Sequence, residues 1–133
     1  MSLFVDTSAL YALLVGSEQD HPRVREAFRA AAERGDRLYT SNYVLLETAA
    51  LLQHRIGLEP VRDLVARIVP LLDVRWVDAD LHQRGLERLF RIDKRRVSLV
   101  DAVSFTVMDV EGGEDVLGLD TDFATEGFRV VPP

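Results

Sequence analysis

Cysteine is absent from this chain, and so are long apolar runs. Without cysteine, disulfides and thiolate zinc sites are excluded, and cytoplasm is the default expectation. No stretch approaches the ~20 apolar residues of a transmembrane helix. The N-terminus has no basic region leading into an apolar stretch and a small-residue cleavage site, so no signal peptide is expected. Lysine is nearly absent: Lys94 is the only one among 16 basic residues, a skew from which nothing functional follows. Positive charge is in deficit as well. Against 22 Asp and Glu the formal net charge is −6, which argues against holding nucleic acid by bulk positive charge. It does not exclude an enzyme that brings nucleic acid to a bound cation.

What remains is an ordinary soluble composition, 47% hydrophobic and 29% charged over 133 residues. That length fits one domain, residues 1–133, with one core. Ser2 to Val5 reads as a short strand ending at Asp6. Ser8 to Val15 and Pro22 to Arg34 read as helices, the second stopped by Gly35. After a strand from Arg37 to Thr40, Ser41 or Asn42 caps a helix that runs to Gly57. Pro60 opens another, with Val61, Leu64, Ile68 and Leu71 at helical spacing. Val74 to Val77 is a third strand, and Asp78 caps a helix from Ala79 to about Phe90. Ser98 caps the last long helix, which Glu111 ends before Gly112-Gly113. Val116 to Leu119 and Phe128 to Val131 complete five strands. Strands alternating with helices predict an α/β sandwich around a mainly parallel sheet.

Five acids stand out. Asp6 and Asp120 each follow a strand, with Asp122 two residues further on. In open α/β sheets ligands bind at the carboxyl ends of the strands. Glu47 and Asp101 interrupt nearly all-apolar helical turns, where an unpaired carboxylate is costly to bury. Each has a purely structural alternative. Asp6 can cap the next helix through Thr7 and Ser8, and Asp101 can complete a capping box with Ser98. Glu47 can pair with an arginine, and Asp120 and Asp122 can shape a turn. Together, two acids ending strands and two near helix N-termini at the same sheet edge point to one acidic pocket. Two like charges ~5 Å apart repel by roughly 3 kcal/mol at an effective dielectric near 20. Such a cluster takes up protons or binds a hard cation. With His21, His54 and His82 outside these segments the donors are all oxygen, which selects Mg²⁺ or Mn²⁺.

These segments resemble the PIN domain, and within it the VapC ribonuclease toxins. Phe4-Val5-Asp6-Thr7-Ser8-Ala9-Leu10 is similar to the first acidic motif of that family, and Thr40 to Thr48, with Glu47 as its acid, to the second. Ser98-Leu99-Val100-Asp101-Ala102 resembles the third, and Gly118 to Phe123 followed by Gly127-Phe128 the fourth. The resemblance implies a PIN-like α/β/α fold with a five-stranded sheet in order 3-2-1-4-5. It also implies a Mg²⁺- or Mn²⁺-dependent endoribonuclease whose acids are Asp6, Glu47, Asp101 and Asp120. Metal contacts are expected from Asp6, Asp101, Asp120 and, less directly, Asp122. Glu47 either orients the attacking water or binds a second metal. Where many members carry Thr or Ser two residues before the fourth acid, this chain has Gly118; a hydroxyl is then absent or comes from Thr7, Ser8 or Thr121.

Arg88, Arg91, Lys94, Arg95 and Arg96 place five bases within nine residues before the Asp101 helix. They read either as a solvated helix end or as RNA phosphate contacts, the latter expected of Arg91, Lys94, Arg95 and Arg96. Leu10, Tyr11, Leu13, Leu14, Val44, Leu51 and Leu52 exceed what one core need bury. The resemblance supplies partners for that surface, a second copy in a homodimer and a VapB-type antitoxin. A phosphatase with Asp-x-Asp after its first strand is excluded by Thr7 and Ser8, and a receiver domain by the lack of a late lysine. The remaining alternative is a catalytically silent PIN-like domain that binds RNA or protein.

Overall fold

The computed structural model describes Met1–Pro133. Strand β1 (Ser2–Val5) lies at the centre of a five-stranded parallel sheet ordered β3-β2-β1-β4-β5. Leu3, Phe4 and Val5 are all buried, as a strand covered on both faces requires. Its neighbours are β2 (Arg37–Ser41) and β4 (Asp115–Leu117); β3 (Asp73–Arg75) and β5 (Arg129–Val131) form the edges. The helices are α1 (Thr7–Leu14), α2 (His21–Glu33), α3 (Asn42–Arg55), α4 (Leu58–Asp63), α5 (Ala79–Ile92), α6 (Leu99–Glu111) and α7 (Asp122–Thr125). The order and the parallel pairing are those the motifs implied.

The switch in strand order falls at β1 and β4, where neighbouring crossovers leave in opposite directions and open a crevice at the carboxyl edge. On one side α1 packs against α2 and α3; on the other, α5 and α6 form a close pair. Gly85 permits that approach, since a Cβ there would collide with the Val103 side chain. Phe105, Phe123 and Phe128 cluster edge-on and stacked to tie α6 to the last two strands. No helix is long and apolar enough to cross a membrane.

Three expectations need correction. The helix expected from Pro60 to Leu71 is three short pieces: α4, a wide turn over Leu64–Ile68 closed by the Val69 N–H on the Leu64 carbonyl, and a tight turn over Val69–Leu71. Pro70 is the physical reason, because it has no N–H to continue the ladder. The apolar surplus also lies elsewhere. Leu10, Val44 and Leu52 are fully buried, while Tyr11, Leu13, Leu14 and Leu51 are half-buried; the exposed large apolar side chains include Leu46, Val65, Trp76 and Phe90. Finally, α7 was not foreseen: a single turn of four residues has no amphipathic period to read.

Candidate active site

At the carboxyl end of β1 the chain turns directly into α1, and Asp6 occupies the cap position with extended backbone. Its side chain makes no capping hydrogen bond. Instead the Ser8 hydroxyl donates to Asp6 Oδ2 at 3.0 Å, while Asp6 Oδ1 is buried with no partner. The same Ser8 oxygen accepts from the Leu119 N–H at 2.9 Å, so one hydroxyl joins the loops after β1 and β4. A Cβ at residue 118 would stand 3.3 Å from both Asp6 Cβ and Ser8 Oγ. Gly118 therefore leaves the space in which Ser8 supplies the hydroxyl. Thr7 Oγ1 is buried alongside, also without a partner.

Asp101 enters from the first turn of α6. The expected capping box is present: Asp101 N–H donates to Ser98 Oγ at 3.1 Å and Ser98 N–H donates to Asp101 Oδ2 at 3.0 Å. Asp101 both caps α6 and lines the cleft that holds Asp6. Glu47 comes from α3, whose start Ser41 caps through the Val44 N–H. It makes no ion pair with an arginine. Asp120 follows β4 and accepts the Asp122 N–H at 2.9 Å in a tight turn. Asp6, Glu47, Asp101 and Asp120 thus line one cleft of about 330 Å³.

The electrostatics follow from this crowding. Burial, reinforced by the charge of Asp101, pushes the Asp6 carboxyl up to about 7. Asp101 is raised to about 6, first by burial and further by the charges of Asp120 and Glu47, against the pull of the Ser98 cap. Two carboxyl groups of raised proton affinity, two buried oxygens without partners and an all-oxygen donor set fit a hard divalent cation. The carboxylates do not close into a complete ligand sphere: no three His, Asp or Glu groups stand near enough to hold an ion alone. Mg²⁺ suits such a site, because it keeps several of its waters and needs only one or two carboxylates.

Asp122 is turned elsewhere. It is buried outside the cleft lining, and Arg96 Nε donates to its Oδ1 at 3.0 Å and its Oδ2 at 3.3 Å. Its charge is already engaged by Arg96. The basic run divides in the same way. Arg88 lies over the Phe105 ring and pairs with Asp109 and Glu126, a packing role. Arg91, Lys94 and Arg95 are exposed without ion pairs, and none of the run lines the cleft. Nor does any histidine.

Four polar lining residues escaped the sequence reading as site residues: Tyr11, Glu18, Asp20 and Arg55. Two had a signal. Glu47, Leu51 and Arg55 are spaced by four along α3, which puts them on one helix face, and Tyr11 stands one turn beyond Thr7 and Ser8 on α1. Glu18 and Asp20 sit in the loop before α2 and carry no pattern.

The comparisons agree with this geometry. The PIN domain family profile matches residues 3–127. The chain is 37% identical over 132 residues to the 23S rRNA-specific endonuclease VapC20 of Mycobacterium tuberculosis, covering 98% of each. Ribonuclease VapC26 of the same organism is 29% identical over 122 residues, 89% of this chain and 86% of that protein. The crystal structure of M. tuberculosis VapC20, described as a sarcin–ricin loop cleaving toxin, superposes with a TM-score of 0.89 over 99% of this chain and 100% of the other. FitAcB from Neisseria gonorrhoeae, 15% identical, shares the fold with a TM-score of 0.70 over 96% of this chain and 95% of its own. A parallel sheet in this order, four acids converging at its switch point and these relatives together establish that the chain belongs to the PIN-domain family, among its VapC-type members.

Proposed function

We propose that this protein is a Mg²⁺- or Mn²⁺-dependent endoribonuclease, the toxin of a VapBC-type pair, with 23S rRNA as its first candidate substrate. One observation carries the reading: four acids from four separate segments meet in one cleft with no arginine paired to any of them. A stabilising role would call for such partners. The choice of RNA rests on the VapC relatives, and that of 23S rRNA on VapC20.

In this reading Asp6, Asp101 and Asp120 hold the cation, directly or through water, and Glu47 orients the attacking water. A phosphodiester is anionic and repels hydroxide, and a cation held by these acids would supply charge neutralisation and a more acidic water. Ser8 fixes Asp6 in rotation through Oδ2 and leaves Oδ1 facing its own task. The Ser98 cap does the same for Asp101, since one carboxylate oxygen is held by the backbone. Arg91, Lys94 and Arg95 are the candidate phosphate contacts outside the cleft, and Arg96 steadies the loop carrying Asp120 through Asp122. Homodimerisation and a VapB-type antitoxin follow from the same family reading, with exposed Leu46, Val65, Trp76 and Phe90 available for contact.

The test is a cleavage assay on purified, antitoxin-free protein with 23S rRNA and with a synthetic sarcin–ricin hairpin. Mn²⁺ or Mg²⁺ should support discrete cuts and a chelator should abolish them. Full cleavage in chelator removes the metal from the reading, and no cleavage with either metal leaves a silent binding domain.

A further inference from the structure

Arg55 is the only base among the 13 residues that line the acidic cleft, against six acids: Asp6, Glu18, Asp20, Glu47, Asp101 and Asp120. With so many carboxylates near, an ion pair is the ordinary fate of a guanidinium. Arg55 makes none. Its guanidinium carbon stands 5.2 Å from the centre of the Tyr11 ring, which holds the fork by its face and leaves the N–H edge free. It is exposed, at the last residue of α3, where the carboxyl end of the helix favours a cation.

Resting on the ribonuclease reading, we propose that Arg55, oriented by Tyr11, binds a backbone phosphate of the RNA strand next to the one that is cut. Glu47 and Arg55 share a face of α3 and lie eight residues apart, about 12 Å along the axis. That backbone separation of a little over two turns suits a group a short way along the same strand. A polyanion entering a cleft with six acids meets repulsion everywhere except at this end. The planar fork offers two parallel N–H donors to phosphate oxygens. Arg55 therefore sets where the strand lies, and Tyr11 is a positioning residue that acts through it.

The test uses the full chain with Mn²⁺ and the sarcin–ricin hairpin, comparing wild type with Arg55→Gln, Arg55→Lys and Tyr11→Leu. Arg62→Gln, exposed on α4 outside the cleft, controls for net charge. For Arg55→Gln, KM should rise about tenfold with kcat changed far less. The slope of log(kcat/KM) against log salt should flatten by roughly 0.7–0.9, the signature of one lost phosphate contact. Arg55→Lys should keep the slope and recover part of KM, and Tyr11→Leu should raise KM by less than Arg55→Gln. Unchanged KM and slope in a folded Arg55→Gln overturn the proposal, including the case in which the guanidinium seats a carboxylate of a protein partner. An equal change in Arg62→Gln overturns it as well, by reducing the effect to net charge. A shifted acid limb of the pH profile in Arg55→Gln overturns it too, by assigning Arg55 to the carboxylates. Wild type that cuts no RNA sinks the ribonuclease reading and this proposal together, whereas wild type that cuts with Arg55→Gln its equal sinks this one alone.

Discussion

The two ends of the sheet treat their acids in opposite ways. At the amino ends of the strands four neighbouring acids have an arginine. Asp36 pairs with Arg34 at 2.8 Å, Asp73 with Arg37 at 2.7 Å, Asp115 with Arg129 at 2.6 Å, and Glu111 with both Arg37 and Arg75 at 3.4 Å. At the carboxyl ends Asp6, Glu47, Asp101 and Asp120 have none. The first set is balanced by arginines that reach solvent, and such pairs contribute little each. The second keeps its charge in excess and partly buried, which costs stability and is the feature on which the proposed cation site rests. The difference separates acids that serve the fold from acids the fold tolerates.

The sharpest way to break this comparison is to neutralise the carboxyl end. Asp6→Asn or Asp101→Asn should lower RNA cleavage by about a hundredfold or more, the scale of losing one preorganised electrostatic group at a reacting centre. Circular dichroism and melting should show both variants folded. Retained cleavage in either would take that residue out of the site.

Next in size is the response to metal. Mn²⁺ at a hundredfold excess over its dissociation constant should stabilise the folded wild type by ~2.7 kcal/mol. Asp101→Asn should lose most of that gain while its chelated form melts no lower than wild type, because an amide oxygen can still accept from the Ser98 N–H. A full metal response in the variant would return Asp101 to the capping box alone.

The pH dependence of the chelated protein sharpens the contrast. Burial raises the Asp6 and Asp101 carboxyls in the folded chain to about 7 and about 6 from an ordinary value of 3.8. The folded state then binds these protons more tightly than the unfolded one. Their contribution is complete below about pH 4 and is lost as pH rises through 6 to 7, at up to about 1.4 kcal/mol per pH unit for each group in that window. Thermal melts across that range should decline in wild type and flatten in Asp6→Asn. A wild type whose melting is level from pH 4 to 7 would show that the two acids are not held as described.

The smallest effect belongs to the amino end. Asp115→Asn removes the partner of Arg129, whose side chain is 69% exposed, and should cost less than ~1 kcal/mol. Cleavage should be unchanged. A large loss would mean that the balanced end also supports the site.

Much of this division was readable from the chain. A lone acid in an apolar turn is costly wherever the helix goes, so Glu47 and Asp101 announced themselves, as did the strands that stop at Asp6 and Asp120. The choice between Asp120 and Asp122 was not readable. Two acids two residues apart look alike, and which one turns away from the cleft depends on Arg96, 26 residues earlier in the chain. Arg55 was hidden for a similar reason. Its sequence surroundings, at a helix end beside Gln53 and His54, are those of solvated charge, and only the packing of α1 against α3 brings Tyr11 beneath it. The broken helix before β3 was a failure to weigh Pro70, which was in plain view.

The Ser8 hydroxyl spans 111 residues of chain to reach the Leu119 N–H. β4 itself, whose Leu117 carbonyl receives the Asp6 N–H, comes from the last part of the sequence. The pocket is therefore late in biosynthesis. While the chain is being made, Asp6 has neither Ser8's second contact nor Asp120 across from it until β4 and the loop after it have been translated. Truncated products that end before β4 therefore lack the assembled cleft.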